Sequence, residues 1–87
     1  MKQYISLNYF SGREDEVHNW ILLGPCTKEE AEAWFHKCGF HIDSVTSKEL
    51  HASRWERENV RGLKAIFREI DPKEVAQLHV ADLPDRI

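Results

Sequence analysis

Residues 27–39 carry the signals for the start, the body and the end of one short helix, and this segment most constrains the fold. Thr27 precedes Lys28-Glu29-Glu30, so its hydroxyl can accept a hydrogen bond from the residue 30 amide while Glu30 reaches back, a capping box. Gly39 stands where a left-handed C-terminal cap belongs. Four apolar residues share one helical face between these signals: Ala31, Trp34, Phe35 and Cys38. The sequence therefore predicts a helix over about 28–38.

The segments on both sides of this helix alternate between apolar and polar residues, which is typical of β-strands. Residues 2–10 alternate, residues 11–15 form a turn-rich break, and residues 16–23 resume the alternation, so an antiparallel hairpin is expected. Residues 40–46 predict a third strand. The next stretch has two interpretations, because Thr46 with Glu49 could cap a helix. A short fourth strand from Leu50 to Trp55 fits better, because a helix would turn Leu50 toward basic residues.

A basic series follows in the later half of the chain. Five residues recur at spacings of 3, 4, 3 and 4: Arg54, Arg57, Arg61, Lys64 and Arg68. On an α-helix they would fall within a strip roughly 80° wide. Val60, Leu63, Phe67 and Ile70 would occupy the adjoining face, so we expect a helix from about Glu58 to Ile70. Arg54 belongs to the preceding strand or turn, which leaves four basic residues on the helix.

Asp71-Pro72 then gives an N-cap and an N1 proline, so a short terminal helix is expected to about residue 79. The expected order is ββαββα. This order predicts a small α+β domain with an antiparallel sheet of three to four strands and two helices packed on one face, plus the short C-terminal helix. We expect a single domain over residues 1–82 and a C-terminal tail over residues 83–87.

Composition limits the class of protein. A chain of 87 residues buries one modest core, which disfavours a deep active site. No apolar run reaches the ~18 residues of a membrane span, and the N-terminus lacks the apolar core of a signal peptide. Two cysteines are too few for a disulfide scaffold. These features predict a reduced, cytoplasmic protein with no membrane partner.

The motifs of common enzymes are missing from the sequence, and we expect neither catalytic residues nor a cofactor. His36, Cys38 and His41, with Cys26 upstream, are zinc-type ligands. On the expected helix, however, Cys38 and His36 point in different directions, so no metal site is expected. Cys26 precedes the helix N-terminus, where the dipole can lower the pKa of a thiol, and a reactive thiol is a minor hypothesis.

The basic series is the best candidate for function. We expect a small, non-enzymatic protein that acts by protein–protein interaction, because arginine and tryptophan are enriched at interface hot spots. The candidate partner-binding residues are Arg57, Arg61, Lys64, Arg68, Trp55 and Trp20. The expected partner is a protein with an acidic surface.

Nucleic-acid binding by the same residues is the alternative, disfavoured by a pI near 5.9. Homodimerisation also remains open, because a sheet with apolar residues on both faces can pair with a second copy. In size and charge the chain is similar in style to small acidic accessory proteins carried by phages and mobile elements. That likeness implies a regulatory role as an inhibitor of a host complex.

Overall fold

The computed structural model describes residues 1–11, 14–58 and 61–87, and for residues 10, 11 and 14–20 it describes the backbone alone. Within these residues the chain forms six strands and two helices. In chain order they are β1 (Gln3–Ser11), β2 (Glu14–Leu23), α1 (Lys28–Lys37), β3 (His41–Val45), β4 (Leu50–Glu56), β5 (Arg61–Glu69), α2 (Pro72–Val75) and β6 (His79–Ala81).

All six strands belong to one sheet, in the order β3-β4-β5-β1-β2-β6. Neighbouring strands are antiparallel except β2 and β6, which run parallel. The expected hairpin is confirmed as β1 and β2, and the expected third and fourth strands are confirmed as β3 and β4. The sheet is therefore mixed.

The predicted helix from Glu58 to Ile70 is wrong, because Arg61–Glu69 forms strand β5. The segment also has a period of two, which places Leu63 and Phe67 on one face and Lys64 on the other. Gly62 weakens a helix by about 1 kcal/mol. As a strand, β5 pairs with β1 on one side and β4 on the other, so both of its edges are hydrogen-bonded. Pairing with the neighbouring strands therefore decides whether this segment forms a helix, with a period of 3.6 residues, or a strand, with a period of two.

This strand overturns the expected fold class. The chain has a six-stranded mixed sheet in place of three to four antiparallel strands, and one long helix packs on it in place of two. The α+β character remains, but strand is the dominant structure. The second helix, α2, spans only Pro72–Val75, so it adds little to the packing against the sheet.

Helix α1 forms as expected and packs on one side of the sheet, here called the helix-side face. Thr27 and Glu30 make both hydrogen bonds of the capping box, and Gly39 adopts a φ of 76° after the last turn. The rings of Trp34 and Phe40 stack with centroids 5.6 Å apart. Phe35 is fully buried among core residues of α1 and the sheet. This aromatic group is the centre of the main core.

The opposite side of the sheet, here called the outer face, has a smaller apolar cluster at one end. Tyr4, Leu22 and Ile70 are buried there, and Val75 and Leu78 pack against them. Asp71 caps α2 by accepting a hydrogen bond from the Lys73 amide, as predicted. The helix is shorter than predicted, because the chain enters β6 at residue 79.

Helix α1 is too narrow to cover the helix-side face. Six strands span about 24 Å at their usual spacing, whereas a helix with its side chains is about 10–12 Å wide. α1 lies closest to β3 and β4. Residues 82–87, here called the C-terminal strap, cross the helix-side face and are held there by the indole of Trp34, whose Nε1 donates to the Pro84 carbonyl at 2.7 Å.

Candidate functional site

Trp55 is the most exposed aromatic side chain among those the structure describes. It lies on strand β4 with 50% of its surface accessible. The strand alternation points it to the outer face, because its neighbours Arg54 and Glu56 contact groups on the helix-side face. Gly62 stands directly opposite it on β5 and is buried.

Lys64 is exposed on the same face, two residues along β5 from Gly62. It is therefore a diagonal neighbour of Trp55, with backbones about 7–8 Å apart. Arg57 is exposed in the turn that follows β4. Trp55, Arg57 and Lys64 are here called the outer patch. Trp55 and Lys64 also interact with other groups of the chain, so they are positioned as well as exposed.

A depression of about 300 Å³ adjoins the outer patch between β3, β4 and β5. Its lining includes Ser44, His51 and Ile66 together with Lys64. His51 is held by Glu49, with 3.1 Å between its Nε2 and the carboxylate. The depression is small and its lining mixes polar and apolar groups, so it suits a side chain of a partner better than a whole ligand.

Arg61 faces the other way, which contradicts the single basic strip of the helical interpretation. Its Nε donates to Glu56 at 2.8 Å, and its guanidinium lies 4.4 Å from the centre of the Tyr9 ring. Glu56 also accepts from Arg54 at 2.8 Å, and Arg54 in turn lies over the Phe40 ring. The charge of Arg61 is thus engaged inside the helix-side face.

The two remaining candidates, Arg68 and Trp20, are not part of the outer patch. Arg68 lies on the outer face, where its Nη2 donates to Glu74 of α2 at 2.9 Å. It therefore joins α2 to the sheet. The side chain of Trp20 lies outside the described residues. Of the six residues named from the sequence, the structure places Trp55 and Lys64 on the outer face as diagonal neighbours, and Arg57 is exposed in the turn two residues after Trp55.

Cys26 does not have the lowered pKa of a reactive thiol. Burial, together with the nearby Glu30 carboxylate, raises the pKa of Cys26 to about 11 from its usual 9.0. The helix dipole is outweighed because Thr27 and Glu30 already occupy the capping positions at this end. Cys26 and Cys38 are both free thiols and both buried.

The zinc-type residues do not converge either. Cys38 packs in the main core, as its place on the apolar helix face predicted, whereas His36 is exposed beside Glu32. No cluster of three or more His, Cys, Asp or Glu residues suited to a metal ion occurs in residues 1–11, 14–58 and 61–87. Within the same ranges, none of the helices has the length and apolar character to cross a membrane.

One concave site was missed by sequence reasoning. A groove of about 600 Å³ lies on the helix-side face between the sheet and the C-terminal strap. We call it the helix-side groove. Leu7, Tyr9 and Ile21 form its floor, and Pro84 and Ile87 of the strap form a wall. The apolar alternation of β1 and β2 was visible in the sequence, but the expectation of a second packed helix hid the uncovered area.

Comparison of the chain with models of known protein families, with curated proteins and with solved structures finds no match.

Proposed function

We propose that the protein is a small regulatory binding protein that docks the outer patch on an acidic surface of a protein partner. One observation carries the proposal: Trp55 is half-exposed on the outer face, with exposed Lys64 as its diagonal neighbour and exposed Arg57 two residues further along the chain. Burying a large aromatic side chain releases more free energy than burying smaller residues. Tryptophan is accordingly enriched among interface residues that dominate affinity.

The charge of the outer patch supports the choice of partner. Arg57 and Lys64 attract carboxylates, which would steer the encounter and select against basic surfaces. The rest of the chain is acidic, with a formal charge of −3. That overall charge would orient the protein so that the outer patch leads. On this proposal the protein inhibits or redirects its partner by occupying the partner's surface, and the cytoplasm is the proposed compartment.

A second candidate function is the binding of single-stranded nucleic acid by the same patch. An indole on an open sheet face next to cations is an arrangement on which bases can stack while phosphates meet the cations. The overall negative charge of the chain works against it. Binding that falls steeply with salt and disappears after nuclease treatment would favour this second candidate over the first.

Affinity capture with and without nuclease separates the two candidates. The tagged protein is incubated with a lysate of the cells that make it, and bound proteins are quantified by mass spectrometry. We expect a partner that survives nuclease treatment and is lost with Trp55→Ala or Lys64→Glu. Lys37→Glu is the matched control, because Lys37 is an exposed lysine of α1. Equal loss with the control variant, or no loss with the outer-patch variants, would contradict the proposal.

A further inference from the structure

The helix-side groove is a direct consequence of the strand that replaces the expected second helix. With β5 in the sheet, α1 is the one helix of eight or more residues among the described segments. Among the described residues, the C-terminal strap covers part of the face over β1, β2 and β6. A six-residue strap cannot fill the area that a helix would, so a concave apolar space of about 600 Å³ remains.

The size and lining of this groove match those of small-molecule sites. Such sites measure about 300–1,000 Å³ and combine a mostly apolar lining with a few polar groups. Here the apolar lining comes from four elements: Leu7 and Tyr9 of β1, Ile21 and Leu23 of β2, Ala81 of β6, and Pro84 and Ile87 of the strap. The outer patch, by contrast, adjoins a depression half that volume whose lining mixes polar and apolar groups.

Charged side chains lie at both ends of the helix-side groove. The register aligns Leu7 with Ile21 and His79, which places His79 on the floor beside β2. Asp82 follows β6 directly and is exposed at the rim. It is the one carboxylate among the described residues that line the groove. Arg61 stands over Tyr9 at the other end, where it is hydrogen-bonded to the Glu56 carboxylate that it shares with Arg54.

We propose that the helix-side groove binds a small molecule that joins an apolar body to a protonated amine. The apolar body fills the space over Leu7 and Ile21, and the ammonium group pairs with the Asp82 carboxylate. Asp82 would repel an anionic analogue. Arg61 is already hydrogen-bonded to Glu56, so it is less available to pair with the carboxylate of that analogue. This inference is independent of the proposed function, because the groove and the outer patch lie on opposite faces of the sheet.

Three probes that share an indole ring and differ in the charge of the substituent at its 3-position test the proposal: tryptamine, 3-methylindole and indole-3-acetate. Each is titrated into the full chain, and side-chain methyl resonances are followed by NMR. We expect shifts at Leu7, Ile21 and Leu23 and none at Ile66, which lies on the outer face. Tryptamine should bind at least about threefold more tightly than 3-methylindole, since an exposed ion pair contributes modestly. Indole-3-acetate should bind most weakly.

Asp82→Asn and Asp85→Asn provide the matched pair of variants. Asp85 lies on the same strap with a fully exposed side chain near Lys37 and does not line the groove. We expect Asp82→Asn to remove the preference for tryptamine and Asp85→Asn to preserve it. Shifts centred on Ile66, the absence of shifts at millimolar probe, equal affinities for the three probes, or an unchanged preference in Asp82→Asn would each overturn the proposal.

Discussion

The two faces of strands β4 and β5 carry similar residues and put them to opposite uses. On the helix-side face, Arg54, Glu56 and Arg61 form a connected series of ion pairs whose ends rest on the rings of Phe40 and Tyr9. On the outer face, Trp55 and Lys64 present exposed surface. Residue type and spacing along the chain therefore do not predict the role of a residue in these strands. The role depends on the face of the sheet to which the side chain points.

The largest expected contrast between the faces is in core packing. Phe35→Ala removes a fully buried ring from the helix-side core and should lower the free energy of unfolding by about 3–5 kcal/mol. Trp55→Ala removes a half-exposed ring from the outer face and should cost less than half as much. Chemical denaturation of both variants measures the difference. Equal losses would show that Trp55 is a core residue, and the contrast between the faces would fail.

The ion pairs of the two faces give a smaller contrast. Glu56→Gln weakens two charge-assisted hydrogen bonds among side chains that are mostly buried, and we expect a loss of about 1–2 kcal/mol. Glu74→Gln weakens one bond to Arg68 at a more exposed site, where less than about 1 kcal/mol is expected. Urea titration of the matched variants tests this order, and the reverse order would show that the outer ion pair is the more important.

Removal of the helix cap tests whether the stability of α1 affects binding at the outer patch. Thr27→Ala removes the hydroxyl that accepts from the Glu30 amide and should cost about 1 kcal/mol. Partner capture by the folded variant should be unchanged, because α1 lies on the other side of the sheet. Thermal unfolding gives the first quantity and the capture assay the second. A loss of capture in folded protein would connect the two faces.

The last expected effect concerns pH and is absent at neutral pH. Because the pKa of Cys26 is raised from 9.0 to about 11 in the folded chain, the unfolded chain loses this proton first as pH rises. The contribution of Cys26 is therefore fully present below pH 9 and is lost as pH rises toward 11. Cys26→Ser should flatten the fall of stability across this range. An identical slope in both proteins would contradict the raised pKa.

Sequence reasoning identified the elements that local signals specify. The capping box at Thr27, the glycine cap at Gly39 and the N-cap at Asp71 each depend on a few neighbouring residues, and each is confirmed. The segment 58–70 failed because its residues fit a period of 3.6 and a period of two equally well. Pairing with β1 and β4 decides that segment, and this pairing joins residues far apart in the chain.

The wrong prediction for residues 58–70 also explains which parts of the candidate sites were predicted from the sequence and which were missed. Trp55 and Lys64 were named as candidates for one binding surface shared with Arg61, whereas the strand alternation separates Arg61 from them. The helix-side groove was not anticipated, since its walls come from strands β1, β2 and β6 and from the C-terminal strap. The period of two across residues 61–69 was the available signal for a strand, but the helical spacing of the same segment offset it.

The most direct test of the account compares two cations three residues apart, Arg61 and Lys64. Once capture has identified the partner, its dissociation constant is measured for Arg61→Gln and Lys64→Glu at a temperature where both variants are folded. Because Arg61 lies on the helix-side face, its substitution should change affinity by less than about twofold, whereas reversing Lys64 should weaken binding about tenfold or more. Equal weakening by both substitutions, or weakening by Arg61→Gln alone, would contradict the outer patch as the binding surface.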